Sequence, residues 1–138
     1  MEKITIRYDI VVKTLTTLKK AINKLKKENL SEDDYQTARD SVIKRFEFSI
    51  DTFWKFLKLY LQEKLEVPLE SLSPRPILRA ALEANLMSAQ EYEIVDEGII
   101  RRNETSHSYN EDLAEEIAHD IPKFYEAMHS IIKRTKLD

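Results

Sequence analysis

Glycine occurs once in this sequence of 138 residues, at Gly98, and proline occurs only four times. A sheet-rich fold needs many tight turns, and these two residues supply most of them. Their scarcity therefore favours long helices joined by few connections. Hydrophobic residues make up 42% of the chain and charged residues 34%, as expected for a folded chain and not for a disordered one. The length suits one domain, which we expect to span residues 1–138.

The N-terminal half contains two segments with helical spacing of apolar residues. The first places apolar residues three and four positions apart, at Tyr8, Val11, Leu15, Leu18, Ile22 and Leu25. Its other face is rich in lysine, which predicts a solvated helix face, with a membrane- or RNA-binding face as the alternative. The second segment predicts a helix from about residue 32 to 64. Ser31 is its expected N-cap, with Asp34 at the capping-box position.

The second segment is crowded with aromatic residues, namely Phe46, Phe48, Phe53, Trp54, Phe56 and Tyr60. An aromatic stripe at helical spacing usually belongs to a core. Six rings are more than one helix face can bury, so we expect some of them to pack against a second subunit. This pattern predicts an oligomer.

The C-terminal half predicts three further helices. A proline-containing connection leads to a short helix at about 77–87, and Ser88 then caps a helix that contains Gly98. A glycine inside a helix costs about 1 kcal/mol relative to alanine, so we expect it to permit a close backbone approach. Asn110 caps the last helix, in which Pro122 predicts either a kink or a restart capped by Asp120. The sum is an all-α bundle of four or five helices.

Several classes of protein are excluded or disfavoured by composition. The chain has no cysteine, which excludes thiol catalysis and a cysteine-based zinc site and fits a reducing compartment. No apolar run approaches the roughly 20 residues of a membrane span, and the N-terminus has no signal-peptide core. We therefore expect a cytoplasmic protein without membrane contact. The net charge of -3 means that any RNA contact is a local basic patch.

The stretch IIRRNETSHSYN, residues 99–110, groups polar residues where the helical pattern pauses. Arg102 ends one periodic segment and Asn110 opens the next, so His107 and Tyr109 fall at a helix junction. If the helix instead runs straight through, Asn103 and His107 are neighbours one turn apart. Either geometry lets the guanidinium of Arg102 and the imidazole of His107 approach a common point.

These side chains suit phosphate chemistry. The charged fork of Arg102 matches a phosphate, and His107 can exchange protons near neutral pH. Asn103 can bind a base edge or a phosphate, and Tyr109 offers a hydroxyl or a stacking ring. Together they could cleave RNA without metal. A helix cap beside a surface ion pair is the alternative that spacing alone leaves open.

Three ordered segments resemble one known family. RNETSHSY, residues 102–109, is similar to the R-N-x-x-x-H-x-Y signature of the all-helical HEPN superfamily. The RFEF segment at 45–48, followed by Trp54-Lys55, resembles the long second helix of the nucleotidyltransferase substrate-binding protein family. SPRPILRAALEANL, residues 73–86, is similar to that family's S-P-R-x-x-x-R-x-A segment.

The resemblance implies a homodimer of up-and-down four-helix bundles, each with an extra short helix. It implies a minimal nucleotidyltransferase encoded by a neighbouring gene as partner, often in a toxin–antitoxin pair. If the family's residue roles apply to the matching positions of this sequence, Arg102 and His107 would be catalytic. Asn103 together with Arg102 would bind nucleotide or RNA. Tyr109 would be the residue that the transferase modifies with AMP. We expect neither a metal nor a cofactor.

The sequence therefore leaves three hypotheses about function. The chain is a metal-independent ribonuclease toxin neutralised by its transferase partner, or a non-catalytic substrate-binding subunit of a nucleotidyltransferase. The third reading is a structural bundle in which Arg102 and His107 only cap a helix. His119, with Glu116 and Asp120, is the other histidine that could serve a metal, but adjacent residues point apart on a helix, so we expect a surface role.

Overall fold

The computed structural model describes residues 2–105, 110–135 and 137. These residues form five α-helices and no strand: α1 (Lys3–Leu25), α2 (Glu32–Leu59), α3 (Pro74–Glu83), α4 (Ala89–Thr105) and α5 (Glu111–Arg134). A π-helical turn, Tyr60–Lys64, extends α2. The prediction of four long helices with one short additional helix is confirmed.

Contacts between the helices show an up-down-up-down order. Ser49 of α2 donates a hydrogen bond to the Thr14 carbonyl of α1, whereas the Tyr8 ring lies 5.6 Å from that of Phe56, so these two helices are antiparallel. The salt bridges from Lys123 to Glu97 and from Arg134 to Glu91 likewise make α4 and α5 antiparallel. The short helix α3 lies in the connection that returns the chain from α2 to α4.

Side-chain caps fix where the helices begin, as predicted. The Ser31 hydroxyl accepts a hydrogen bond from the Asp34 amide at 3.1 Å. Ser88 and Glu91 form a reciprocal capping box, with hydrogen bonds of 2.8 and 3.1 Å. The Asn110 side chain accepts from the Leu113 amide at 3.1 Å. Each cap satisfies an amide that has no partner within its own helix.

The short helix differs from its predicted bounds. It begins at Pro74 and ends at Glu83, three to four residues earlier than the expected 77–87. Proline fits the first turn of a helix because its missing N–H has no intrahelical partner there. Asn85, in the left-handed region at φ 63°, ends the helix. The Asn85 and Leu86 amides donate to the Leu82 and Ala81 carbonyls, which is a Schellman motif.

The last helix passes through Pro122 without interruption, so the predicted restart at Asp120 is wrong. Ile121 and Phe124, on either side of the proline, are fully buried. Burial of these side chains outweighs the hydrogen bond that a proline cannot donate inside a helix.

The core joins α2 to α5 and brings Gly98 close to both. The rings of Phe46 and Phe124 stack 5.5 Å apart. A Cβ at Gly98 would lie 3.0 Å from Ile50 Cδ1, so glycine permits the close approach that the sequence predicted. Phe48 is left outside the core, with 52% of its surface exposed. The homodimer stays a prediction.

The basic face of α1 is solvated in this chain. Lys13, Lys20, Lys24, Lys26 and Lys27 are exposed. Lys19 instead packs on α5, where its ammonium lies 3.7 Å from Glu126 and 5.2 Å from the centre of the Tyr125 ring. No helix in the described part of the chain is both long and apolar enough to span a bilayer.

Candidate functional site

Arg102 and Asn103 lie in the last turn of α4, which ends at Thr105. Asn110, with an extended backbone, caps α5, so α4 and α5 are separate helices and the alternative of one continuous helix is wrong. His107 and Tyr109 lie outside the described residues. The described part of the site is therefore the end of α4, the start of α5 and the face of α2 beside them.

Arg102 is held by two carboxylates of α2. Its Nε and Nη2 donate to the two carboxylate oxygens of Asp51 at 3.3 and 3.1 Å, a bidentate pair. Its Nη1 donates to Glu47 Oε2 at 3.4 Å. The hydrogen bonds to Asp51 raise the pKa of Arg102 above its ordinary value, so the guanidinium is charged throughout the working pH range.

Helix geometry explains why both carboxylates meet the same end of α4. Glu47 and Asp51 are four residues apart and share one face of α2. Because α2 and α4 are antiparallel, Asp51 lies opposite Arg102 and Glu47 reaches Thr105, whose hydroxyl is 2.6 Å from Glu47 Oε2. Sequence reasoning missed both carboxylates. Their spacing on a predicted helix was the signal, but it does not say what they face.

A pocket of about 260 Å³ opens beside Arg102, and we call it the Trp54 pocket. It is lined by Asp51, Trp54, Lys55, Pro74, Ile99, Arg102 and Asn103. Residues of α2 and α4, together with the first residue of α3, thus form this pocket. Arg102 and Asn103 both line this pocket, and their role in binding a common ligand stays a prediction. Trp54 and Lys55 are additional lining residues, which the sequence marked only as part of the family resemblance.

A second pocket, with a volume of about 220 Å³, is lined in part by Glu47 and Thr105. Its described lining includes Ile43, Leu113 and Ile117, together with Lys44 and Asn110. It adjoins the start of α5 and is more apolar than the Trp54 pocket. Glu47 and Thr105 line this second pocket, whereas Arg102, to which Glu47 is paired, lines the Trp54 pocket.

A buried arginine fixes the start of α5. Arg39 is only 1% exposed, and its Nη1 donates to Glu111 at 2.6 Å and to Glu115 at 3.1 Å. Tyr35 also donates to Glu115, at 2.7 Å, and this hydrogen bond raises the pKa of the tyrosine. The anchor holds α5 against α2 immediately after the segment that carries His107 and Tyr109.

His119 occupies the surface position expected for it. Its side chain is 90% exposed and its Nδ1 lies 3.5 Å from Asp120. Within the described residues, no group of three or more histidine, aspartate or glutamate side chains could hold a metal ion. The described side chains thus do not support a metal site at His119.

The sequence over residues 7–136 matches the family model described as nucleotidyltransferase substrate binding protein like. The chain belongs to this family. Among curated proteins, none matches the chain.

Solved structures agree with the family fold. A crystal structure of a protein from Thermus thermophilus is 34% identical, with a TM-score of 0.77 over 90% of this chain and 97% of that one. A chain from a structure of a mutant MntA–HpeT toxin–antitoxin is 17% identical, with a TM-score of 0.67 over 91% of this chain and 95% of that one.

A further structure, of the tri-AMPylated HEPN toxin of Shewanella oneidensis in complex with MNT antitoxin, is 19% identical. Its TM-score is 0.57 over 88% of this chain and 98% of that one. At such identities the likeness shows a shared fold, which is the helical HEPN fold.

Proposed function

We propose that this chain is the HEPN component of a two-gene system and that a minimal nucleotidyltransferase is its partner. In that system it cleaves RNA without a metal, and the transferase neutralises it. Membership of the nucleotidyltransferase substrate-binding family carries the proposal. The structures of a HEPN toxin in complex with MNT antitoxin and of the toxin–antitoxin MntA–HpeT support it through their common fold.

The chemistry follows from the residue types at the end of α4. His107 takes the proton of an RNA 2′-hydroxyl, whose oxygen attacks the adjacent phosphorus while the bond to the 5′-oxygen breaks. Arg102 stabilises the charge that develops on the phosphorus oxygens. A second copy of the chain, facing the first, supplies a second histidine that protonates the leaving oxygen. Asn103 binds the RNA beside the reacting phosphate.

Tyr109 is the point of control in this proposal. The partner transfers AMP from ATP to the Tyr109 hydroxyl and releases pyrophosphate. The added nucleotide fills the cleft that RNA would otherwise enter. Tyr109 is two residues after His107 in the sequence, so the modified group is attached within the same short segment as the reacting histidine.

A second function is favoured by one observation, the pairing of Arg102 with Asp51 and Glu47. An arginine already held by two carboxylates attracts a phosphate less strongly than an unpaired one. The alternative is therefore a non-catalytic subunit that presents a nucleotide or Tyr109 to the transferase.

Cleavage of RNA by partner-free protein in EDTA separates the two functions. The proposal expects cleavage that falls at least about hundredfold in Arg102→Ala, as for loss of a group that stabilises the transition state, and in His107→Ala. Arg101→Ala is the matched control, because Arg101 turns to Glu104 and Asp120 instead. His119→Ala is the control for the histidine. Intact RNA with the wild type would exclude the ribonuclease, and wild-type cleavage by all four variants would exclude the site at Arg102 and His107.

The modification needs its own measurement, an intact mass after co-expression with the neighbouring transferase. Added adenylyl mass that is lost in Tyr109→Phe and kept in Tyr92→Phe supports neutralisation by AMP. An unmodified chain that still co-purifies with the transferase supports the binding subunit.

A further inference from the structure

We propose that the Trp54 pocket is a binding site for one nucleotide of single-stranded RNA, next to the phosphate that Arg102 holds. The base stacks on Trp54, the nucleotide's own phosphate binds the Lys55 ammonium, and the Asn103 amide meets the base edge. This inference rests on the proposed function, because it takes Arg102 as the arginine at the reacting phosphate. It adds a substrate subsite on α2 and α4.

Lys55 is the cation that makes the pocket suitable for a phosphate. It is exposed, and within the described part of the chain its ammonium has no carboxylate within salt-bridge distance. Arg75 and Arg134, by contrast, are neutralised by Asp96 and Glu91. An ammonium without a counter-ion gains more from a phosphate than a paired one does, because no salt bridge has to be broken.

The charges around the pocket favour an anion despite the presence of Asp51. Its described lining contains Lys55, Arg102 and Asp51; Arg102 is already paired with Asp51 and, outside the lining, with Glu47, so the cation available to an anion is Lys55. Asp51 is itself engaged by the Arg102 fork. The described lining of the second pocket carries instead an excess negative charge, since Asp40 and Glu47 outnumber Lys44. The phosphate is therefore expected on the Trp54 side of Arg102.

Trp54 supplies the stacking surface. It is partly buried against the core and lines the pocket, so the ring is held in place before a ligand arrives. Its indole N–H makes no hydrogen bond within the described residues, and no described buried polar side-chain atom lacks a partner. The N–H must therefore reach solvent, where it can donate to a ligand. Aromatic rings beside cationic groups are the common way to bind single-stranded nucleic acid.

The neighbouring lysine leaves room for a base. The Lys55 ammonium lies 5.9 Å from the centre of the Trp54 ring, at the outer limit of a cation–π contact. It can therefore turn to a phosphate at little cost. Asn103 is exposed and, in the part of the chain that the structure describes, makes no side-chain hydrogen bond. Its amide can both donate to and accept from a base edge.

The pocket is small, with a volume of about 260 Å³. Pockets for drug-sized ligands start at about 300 Å³. The Trp54 pocket is thus suited to a single nucleotide unit and not to a folded RNA element. Because Arg102 lines the same pocket, a nucleotide bound there is continuous with a phosphate on the guanidinium.

The single tryptophan of the chain makes the proposal directly measurable. A short 2′-O-methyl oligoribonucleotide can bind but cannot be cleaved, because its 2′-hydroxyl is blocked. We expect it to quench the fluorescence of Trp54. We also expect Trp54→Leu to weaken binding of the labelled oligonucleotide about five- to hundredfold, and Trp54→Phe to restore part of the loss. Helical content and thermal melting of each variant verify folding.

The salt dependence of binding by Lys55→Ala is a second measurement, which a merely structural role of Lys55 would not affect. The slope of log K against log salt should become shallower by about 0.7, the value for one phosphate contact on a single strand. Lys20→Ala, on the exposed face of α1, removes the same charge and should leave the slope unchanged. ATP titrated alone tests a free nucleotide as the source of the ligand.

The outcomes separate this inference from the proposed function. Unquenched fluorescence, with cleavage that depends on Arg102 but not on Lys55 or Trp54, overturns the subsite and leaves the ribonuclease standing. Quenching and a Lys55-dependent salt slope without any cleavage support the subsite and overturn the ribonuclease. Quenching by ATP but not by the oligonucleotide overturns the assignment to RNA. No binding of either ligand overturns the subsite, and the cleavage assay then decides the ribonuclease by itself.

Discussion

Glu91 links the start of α4 to the end of α5, and its charge is expected to contribute measurably to stability. Its carboxylate accepts a hydrogen bond from the Ser88 amide at 2.8 Å, which completes the capping box. The same carboxylate is paired with the guanidinium of Arg134, whose Nη2 lies 2.7 Å from Glu91 Oε2. The hydrogen bonds from Arg134 lower the pKa of Glu91 from 4.5 to about 2.

The size of the effect follows from this lowering. A change from 4.5 to about 2 corresponds to about 3.4 kcal/mol, at about 1.36 kcal/mol per pKa unit. Because 46% of the Arg134 side chain is exposed, solvent screening reduces this to about 1–2 kcal/mol. Since the folded-state pKa is lowered, the stabilisation is complete above pH 4.5. It is lost as the pH falls from 4.5 towards 2, with more than half gone at about pH 3.

Glu91→Gln tests this contribution, because glutamine keeps an acceptor for the Ser88 amide and removes only the charge. Urea unfolding followed by helical circular dichroism should give a loss of about 1–2 kcal/mol at pH 7 and a clearly smaller loss at pH 3. Glu97→Gln is the control, since Glu97 and Lys123 are both exposed and should contribute less than about 0.5 kcal/mol. A loss from Glu91→Gln that is the same at both pH values would refute the electrostatic reasoning.

Three further substitutions test the packing of the bundle by thermal or urea unfolding. Gly98→Val should cost about 1–3 kcal/mol, because even a Cβ there lies 3.0 Å from Ile50 Cδ1; unchanged stability would mean that Ile50 moves freely. Arg39→Ala should lower the free energy of unfolding by about 2–3 kcal/mol. This is less than for a wholly buried ion pair, because the carboxylate partners of Arg39 are half exposed and become rehydrated. Arg39→Lys should restore only part of the loss. Pro122→Ala should raise stability by about 1–3 kcal/mol by restoring a hydrogen bond to the Ala118 carbonyl, and a lower melting temperature would contradict this.

The parts of the fold that the sequence predicted are those set by local physics. Ser31, Ser88 and Asn110 are helix caps in the structure, because a short polar side chain satisfies a free amide wherever a helix begins. The bounds of α3 were missed because its first residue is a proline and its end depends on Asn85, which adopts a left-handed conformation. The periodic pattern does not report either feature. The continuity of α5 through Pro122 is a tertiary effect that propensity cannot predict.

The candidate site was likewise only partly predictable from the sequence. Arg102 and Asn103 were identified from a short motif and share one pocket. The carboxylates that hold Arg102, Asp51 and Glu47, come from a helix some fifty residues earlier, and their distances of 51 and 55 positions make them invisible to local spacing. Their role depends on the antiparallel packing of α2 and α4. Residue types alone therefore indicate phosphate chemistry but do not reveal how strongly the arginine is already bound within the chain.

The up-down-up-down order has a consequence for how the bundle folds. Each of the hairpins α1–α2 and α4–α5 joins helices that are neighbours in sequence, so both can form from local contacts, which close fastest. The pairing of α2 with α5 joins distant parts of the chain, with Phe46 and Phe124 stacked at its centre. We therefore expect docking of the two hairpins to be the late step. Substitution of Phe46 should accordingly speed unfolding more than it slows folding.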